Sequence, residues 1–231
     1  NKIIKKYLPG YDPKVTIKDT NIKFTKSKSN QTAELNGLIK IKKQFDNFQI
    51  KEKYNYKQKN FDISGTVDLT NSMVKVSRLN YIKDYGKKSD LTFDVNFILN
   101  KRFNIRNLQF IENKNKIYLS NIKLNNNFRL VDFENLEVKT FLNKIKNNDF
   151  LINKREKIII SGKVFDAQLL LKSLYKKDDK KIFSKKFKSK IKMNFDRVIT
   201  GTNDDVFDLS MIASIDKGSY DKLSLKGKFS E

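Results

Sequence analysis

The chain has 231 residues, 49 Lys and Arg against 26 Asp and Glu for a formal net charge of +23, 38% hydrophobic residues, and neither Cys nor His. Lacking those two types, it has no disulfide, no thiolate metal site, no Ser-His-Asp or Cys-His pair, and no imidazole for proton transfer near neutral pH. The apolar content suits a folded chain, and the charge points either to phosphate-bearing partners, nucleic acid or anionic lipid, or to solvent faces written in Lys and Asn.

The first stretch carries Pro9 and Pro13 and shows no signal-peptide pattern, and no run of 18 or more apolar residues occurs anywhere. A chain that begins at Asn1 and stops at FSE inside a strand-like pattern reads as a piece of a longer protein, whose membrane anchor would lie elsewhere. The expected organisation is one unit: a leading segment 1–13, antiparallel strands over 14–160, a strand end and helix over 161–177, and antiparallel strands over 186–231.

From residue 14 onward, apolar and polar residues alternate with period two. Phe61, Ile63, Gly65, Val67 and Leu69 share one face of FDISGTVDLT, and Leu91, Phe93, Val95, Phe97 and Leu99 share one face of LTFDVNFIL. Further on, Ile191, Met193 and Phe195 align, then Phe207, Leu209, Met211 and Ala213, then Leu223, Leu225, Gly227 and Phe229. Short polar turns such as KDYGKKSD, ENKN and DKGSYD separate the runs, which implies hairpins and about a dozen strands. Glycine recurs inside apolar runs (LNGLI, ISGTV, ISGKV, LKGKF) and Asn recurs where a run restarts (TNIKF, RNLQF, SNIKL, ENLEV). Both patterns predict bends or bulges in one long, curved sheet.

One stretch departs from this rhythm. In SGKVFDAQLLLKSLYKK, Ala167, Leu170, Leu171 and Leu174 fall on one helical stripe, which predicts a helix over 167–176. Asp166 suits its N-cap, and Phe165 with Leu170 suits a hydrophobic staple. The Leu stripe must return to the apolar side of the strands, as a core plug or as a lid on a channel.

The last third of the chain resembles the AsmA-like family, in particular its large YhdP-like members and their TamB relatives. The resemblance rests on ISGKVFDAQLLLKSL, on FKSKIKMNFDRVITG, and on DLSMIASIDKGSYDKLSLKGKF. It implies a long curved β-sheet forming an open half-pipe with an apolar lining. It also implies a parent anchored in the inner membrane of a Gram-negative bacterium, extending through the periplasm and moving phospholipid to the outer membrane. Such proteins are bridges rather than catalysts, so no catalytic residue, cofactor or metal is expected.

Under that reading, the residues expected to line the groove are Phe93, Val95, Phe97, Ile191, Met193, Phe195, Phe207, Leu209, Met211, Leu223, Leu225 and Phe229, and those of the helical cap are Phe165, Asp166, Leu170, Leu171 and Leu174. The partners are phospholipid acyl chains and, through the rest of the parent, membranes. The alternative is a basic β-rich domain with a closed core, serving nucleic-acid binding or a structural role. That alternative needs aromatics mixed with Lys on the wet face, whereas most Phe lies on the apolar face, so no specific nucleic acid is expected. Tyr54, Tyr56 and Tyr81 fit neither reading. The acidic pairs Asp178-Asp179 and Asp204-Asp205 sit in polar turns and read as solvated.

Overall fold

A computed structural model describes residues 16–41, 44–98, 101–174, 186–201, 204–217 and 219–229. The alternating runs form β1 (Thr16–Lys26), β2 (Asn30–Lys40), β3 (Phe45–Asn55) and β4 (Asn60–Asp68). A small insertion follows, in which β5 (Val74–Val76) and β6 (Tyr81–Lys83) are joined by a 3-10 turn at Ser77–Leu79. Next come β7 (Asp90–Ile98), β8 (Arg102–Glu112), β9 (Asn115–Asn125), β10 (Leu130–Asp132), β11 (Asn135–Leu142), β12 (Ile145–Lys154) and β13 (Ile158–Asp166). Helix α1 (Gln168–Leu174) leads to β14 (Ser189–Ile199), β15 (Val206–Asp216) and β16 (Ser219–Phe229).

Thirteen of these strands lie side by side in the order β1-β2-β3-β4-β7-β8-β9-β11-β12-β13-β14-β15-β16, with β10 paired to β9, in one long curved sheet that is not closed into a barrel. The expected antiparallel meander holds everywhere in it except between β13 and β14, which are parallel. The reason is the helix: a crossover through α1 returns the chain to the starting side, so the next strand runs in the same direction.

The predicted irregularities are present, but mostly on the neighbouring strand. Gly37 faces the register shift at Asp19 and Thr20, and a Cβ there would come within 2.7 Å of the Thr20 hydroxyl. Gly162 instead adjoins a bulge on its own strand, where Lys163 is the extra residue between the pairs Asp149–Val164 and Phe150–Gly162, and a Cβ there would meet Asp149 and Phe150 at 2.4 Å. In both places the bulge brings two backbones close, and the glycine, opposite it or beside it, leaves room for that approach. Asn21 and Asn107 sit at such shifts, Asn121 takes a positive φ of 50°, and Asn135 opens β11.

Helix α1 begins at 168, one residue after the expected start at 167, and is described to 174; the side chain of Leu174 and residues 175–177 lie outside the described residues, as does the leading segment 1–13. The Ala167 carbonyl accepts the first helical bond from Leu171 N–H at 2.8 Å, so the N-cap falls on Ala167. Asp166, one residue earlier, accepts from Gln168 N–H at 3.2 Å. Phe165 stacks on Phe195 at 5.5 Å and meets Phe150 edge-on, while Leu171 packs on the cluster formed by Val138, Phe150, Ala167, Phe195, Val198 and Leu209.

Candidate functional site: the apolar face and its rims

Residues paired directly across antiparallel or parallel strands share a face, so the register can be followed from edge to edge. Starting at Ile22 on β1, the partners are Leu35, Ile50, Gly65, Phe93, Leu108 and Leu119. The row continues through Leu136, Ile152, Ile160, Met193 and Met211 to Leu225 on β16. It crosses all thirteen strands without one polar residue, over a width of roughly 58 Å at the usual strand spacing. Period-two alternation makes each strand one-faced; the bulges re-phase the strands so that these faces remain continuous.

Above and below this midline, the two rims of the face differ. Along the lower rim, where β4 ends at Asp68, the insertion folds back over the sheet. Its Val74 and Tyr81 are buried with Ile41, Leu69, Phe110 and Ile117, and Leu79 reaches both this cluster and the one under α1. Two buried polar joints fix this cover. Lys83 is fully buried, and its ammonium donates to the carbonyls of Leu69, Thr70 and Ser72, the last two at 2.9 and 2.7 Å. Beside it, Asp46 accepts from Asn71 N–H and the Ser72 hydroxyl at 2.8 and 2.9 Å.

Burial pushes the Asp46 carboxyl up and the Lys83 ammonium down from their usual values. In the second joint, Asp166 accepts from the amides of Asn80 at 2.8 Å and Asn147 at 3.1 Å, while Asn148 binds the Leu79 carbonyl, the Thr140 hydroxyl and Asp166 N–H. Buried polar groups of this density are tolerated only when satisfied, and a satisfied network pins one arrangement.

The upper rim over β3 to β9 has a different surface. Six aromatic rings run across it in sequence, Tyr56, Tyr54, Phe61, Phe97, Phe103 and Phe128, with successive centroids 4.5 to 6.0 Å apart. Phe61 and Phe97 are stacked at 4.8 Å with their planes 10° apart. None of the six is buried: five are half-exposed and Phe128 is 58% exposed. The elements that cross the apolar face, namely the insertion, α1 and the segments carrying Phe133 and Phe187, pack on other parts of it.

Of the sequence-predicted lining residues, Phe93, Val95 and Phe97 lie half-buried on this open part, Phe97 as a rung of the ladder and the other two beside it. Ile191, Phe195, Leu209 and Met211 are buried under α1, Phe133 and Phe187, and Met193 is half-buried between the two clusters there. Leu223, Leu225 and Phe229 are exposed on the edge strand β16. Phe207 is displaced from the predicted face. Asp208 takes a positive φ of 49° at a register shift, so Phe207 stands opposite Arg197 and Lys228, while Val206 turns in toward the core.

Of the helical cap, Asp166 is the joint just described, and Leu170 and Leu171 are half-buried. Tyr54 and Tyr56, left without a role by the sequence, open the ladder; the period-two phase that put Phe61 inward was the signal available for Tyr54, its cross-strand partner. Tyr81 is core, and its hydroxyl donates to Glu112 at 2.9 Å. Asp205 pairs with Arg197 at 2.6 Å, and Asp178 and Asp179 lie outside the described residues.

No family model matches the chain, and neither the curated proteins nor the solved structures compared with it contain a match.

Proposed function

We propose that the chain is a segment of a bridge-like lipid-transfer protein whose apolar β-face carries phospholipid acyl chains between the inner and outer membranes of a Gram-negative cell. The observation that carries this reading is the unbroken apolar row from Ile22 to Leu225, which no other described residues cover on its upper side over β3 to β9. Soluble proteins rarely leave apolar patches beyond roughly 300 to 600 Å² open without a use. An acyl chain laid on such a face gains about 0.8 kcal/mol per buried CH₂. Because the open strands offer similar midline surfaces, that gain changes little from one position to the next there, so a chain can be held and still slide. The resemblance of the last third to AsmA-like proteins supports the same reading and supplies its cellular setting.

The alternative of a closed core is supported locally, at β13 to β15. There both rims are covered, and Ile191, Phe195 and Leu209 are buried. Under the lipid reading, these strands form a closed neck that α1 and the Phe187 segment must leave for a lipid to pass.

Site-specific photocrosslinking tests the reading. A photoreactive residue at Leu108 or Leu119, on the midline, should crosslink to phospholipid during expression in a Gram-negative host, and one at Lys163, exposed on the opposite face, should not. Absence of lipid adducts at both midline positions would overturn it.

A further inference from the structure

The +23 charge is not spread evenly around the apolar face. The chain turns back at four places along the upper rim beside the ladder, between β1 and β2, β3 and β4, β7 and β8, and β9 and β10. They hold Lys26 and Lys28, Lys57 and Lys59, Lys101 and Arg102, and Arg129, and not one Asp or Glu. Among the described residues none of these cations is in an ion pair, and all but the half-buried Arg129 are exposed. The lower rim is mixed, with Asp68, Asp84, Asp90 and Glu112 set among its lysines.

The cations are placed beside the rings by the chain itself. Lys57 follows Tyr56, Lys59 stands two residues before Phe61, Arg102 precedes Phe103, and Arg129 follows Phe128. At about 3.4 Å per residue, the backbone position of each of these four cations lies within roughly 7 Å of that of a ladder residue along the strand. Alternation sends the ring inward, and the turn leaves the charge in water. A ligand that satisfies both needs a hydrocarbon part and an anionic part joined over that short span.

We propose that the upper rim is a seat for anionic phospholipid, with acyl chains on the Tyr56-to-Phe128 ladder and the phosphate and headgroup on the basic turns. This rests on the lipid-groove reading above and adds a headgroup preference and an orientation to it. Lipid lies across the strands with its headgroup projecting over the acid-free turns, away from the insertion. The surplus of lysine then has a function at this rim, whose four turns carry no carboxylate; Glu52, two residues before Tyr54, lies further in on the face.

The experiment compares tail-labelled phosphatidylglycerol with tail-labelled phosphatidylcholine, each offered to the 231-residue chain and quantified in the protein fraction. Phosphatidylglycerol should be captured at least about fivefold better at low salt, the factor contributed by one basic residue near an anionic surface. The preference should shrink as ionic strength rises. Combined Lys57→Glu, Lys59→Glu, Lys101→Glu and Arg102→Glu changes should abolish the preference and leave phosphatidylcholine capture unchanged. An equal charge change on the opposite face, Lys139→Glu, Lys163→Glu, Lys190→Glu and Lys192→Glu, should leave the preference intact.

Equal capture of the two lipids by the unaltered chain, or equal loss from both variants, overturns the headgroup seat and leaves the groove reading standing. So does competition by single-stranded DNA for the same turns without any lipid preference. Capture of neither lipid overturns both.

Discussion

The side-chain amide of Asn80 donates to Oδ2 of Asp166 at 2.8 Å, joining residues 86 positions apart. Asn80 sits at the tip of the insertion in a left-handed conformation, with φ 46°, and Asp166 closes β13 just before α1. One carboxylate thus ties the two elements that cover the lower rim. Asp166→Ala should leave the Asn80, Asn147 and Gln168 donors without their acceptor and cost on the order of 3 kcal/mol. Hydrogen exchange should then rise in the insertion, residues 74–83, and in 168–174 together. A rise confined to the helix would show that Asp166 acts there as a cap and nothing more.

Lys83 is the second fastening of the same cover. Its three ammonium protons go to three carbonyls, of which Leu69 and Thr70 also accept from the Ser72 and Gly86 N–H groups, so Lys83→Met retains the packed stem, removes three charge-assisted bonds and takes from the Ser72 carbonyl its ammonium donor. A loss on the order of 2 kcal/mol is expected, because hydrogen bonds from a charged donor are lost and the Ser72 carbonyl bears its desolvation cost. It should be read as a lower urea midpoint at unchanged slope. A midpoint equal to that of the unaltered chain would mean that water reaches those carbonyls.

Asp46 gives the same region a pH dependence of definite sign. Burial pushes its carboxyl above the usual 3.8, against the hydrogen bonds from Asn71 and Ser72 that act to lower it. Between 3.8 and the raised folded value, the native state holds more protons than the unfolded chain, so stability is lost as pH rises through that interval. Asp46→Asn removes this contribution. The stability of the unaltered chain minus that of the variant should therefore be larger near pH 4 than near pH 7, measured by urea unfolding at both. A difference of opposite sign would show that the native state favours the carboxylate.

Strand phase explains which parts of this structure can be read from the sequence. Alternation in FDISGTVDLT and LTFDVNFIL assigns Val67 opposite Leu91 and Phe61 opposite Phe97 to one face, as the register has them. The stripe of Ala167 and Leu171 likewise locates the helix. Phe207 escapes because a single positive φ at Asp208 reverses phase, and no apolar pattern announces a left-handed Asp.

Coverage is equally hidden. Phe97 and Leu209 have the same kind of alternating neighbours, yet one lies on an open ladder and the other under a helix, a difference made by residues distant in the chain. The parallel pairing of β13 with β14 follows from the crossover and leaves no mark on either strand's own sequence.

That contrast yields the sharpest mutational comparison. Leu209 is 8% exposed, packed with Val138, Phe150 and Phe195, so Leu209→Glu buries an unpaired carboxylate. Such a charge costs several kcal/mol or forces protonation, and the variant should lose its cooperative unfolding transition or aggregate. Phe97 lies 4.8 Å from Phe61 and 6.0 Å from Phe103, on the half-exposed ladder. Phe97→Glu forfeits those ring contacts, about 1 kcal/mol for each aromatic pair, and leaves its carboxylate within reach of water. It should remain folded by circular dichroism and lower the urea midpoint only modestly, while capture of tail-labelled phospholipid falls at least about tenfold, the equivalent of 1.4 kcal/mol. If both variants unfold alike, the ladder is sealed core and carries no acyl chain; if Phe97→Glu folds and captures lipid normally, the occupied surface lies elsewhere on the face.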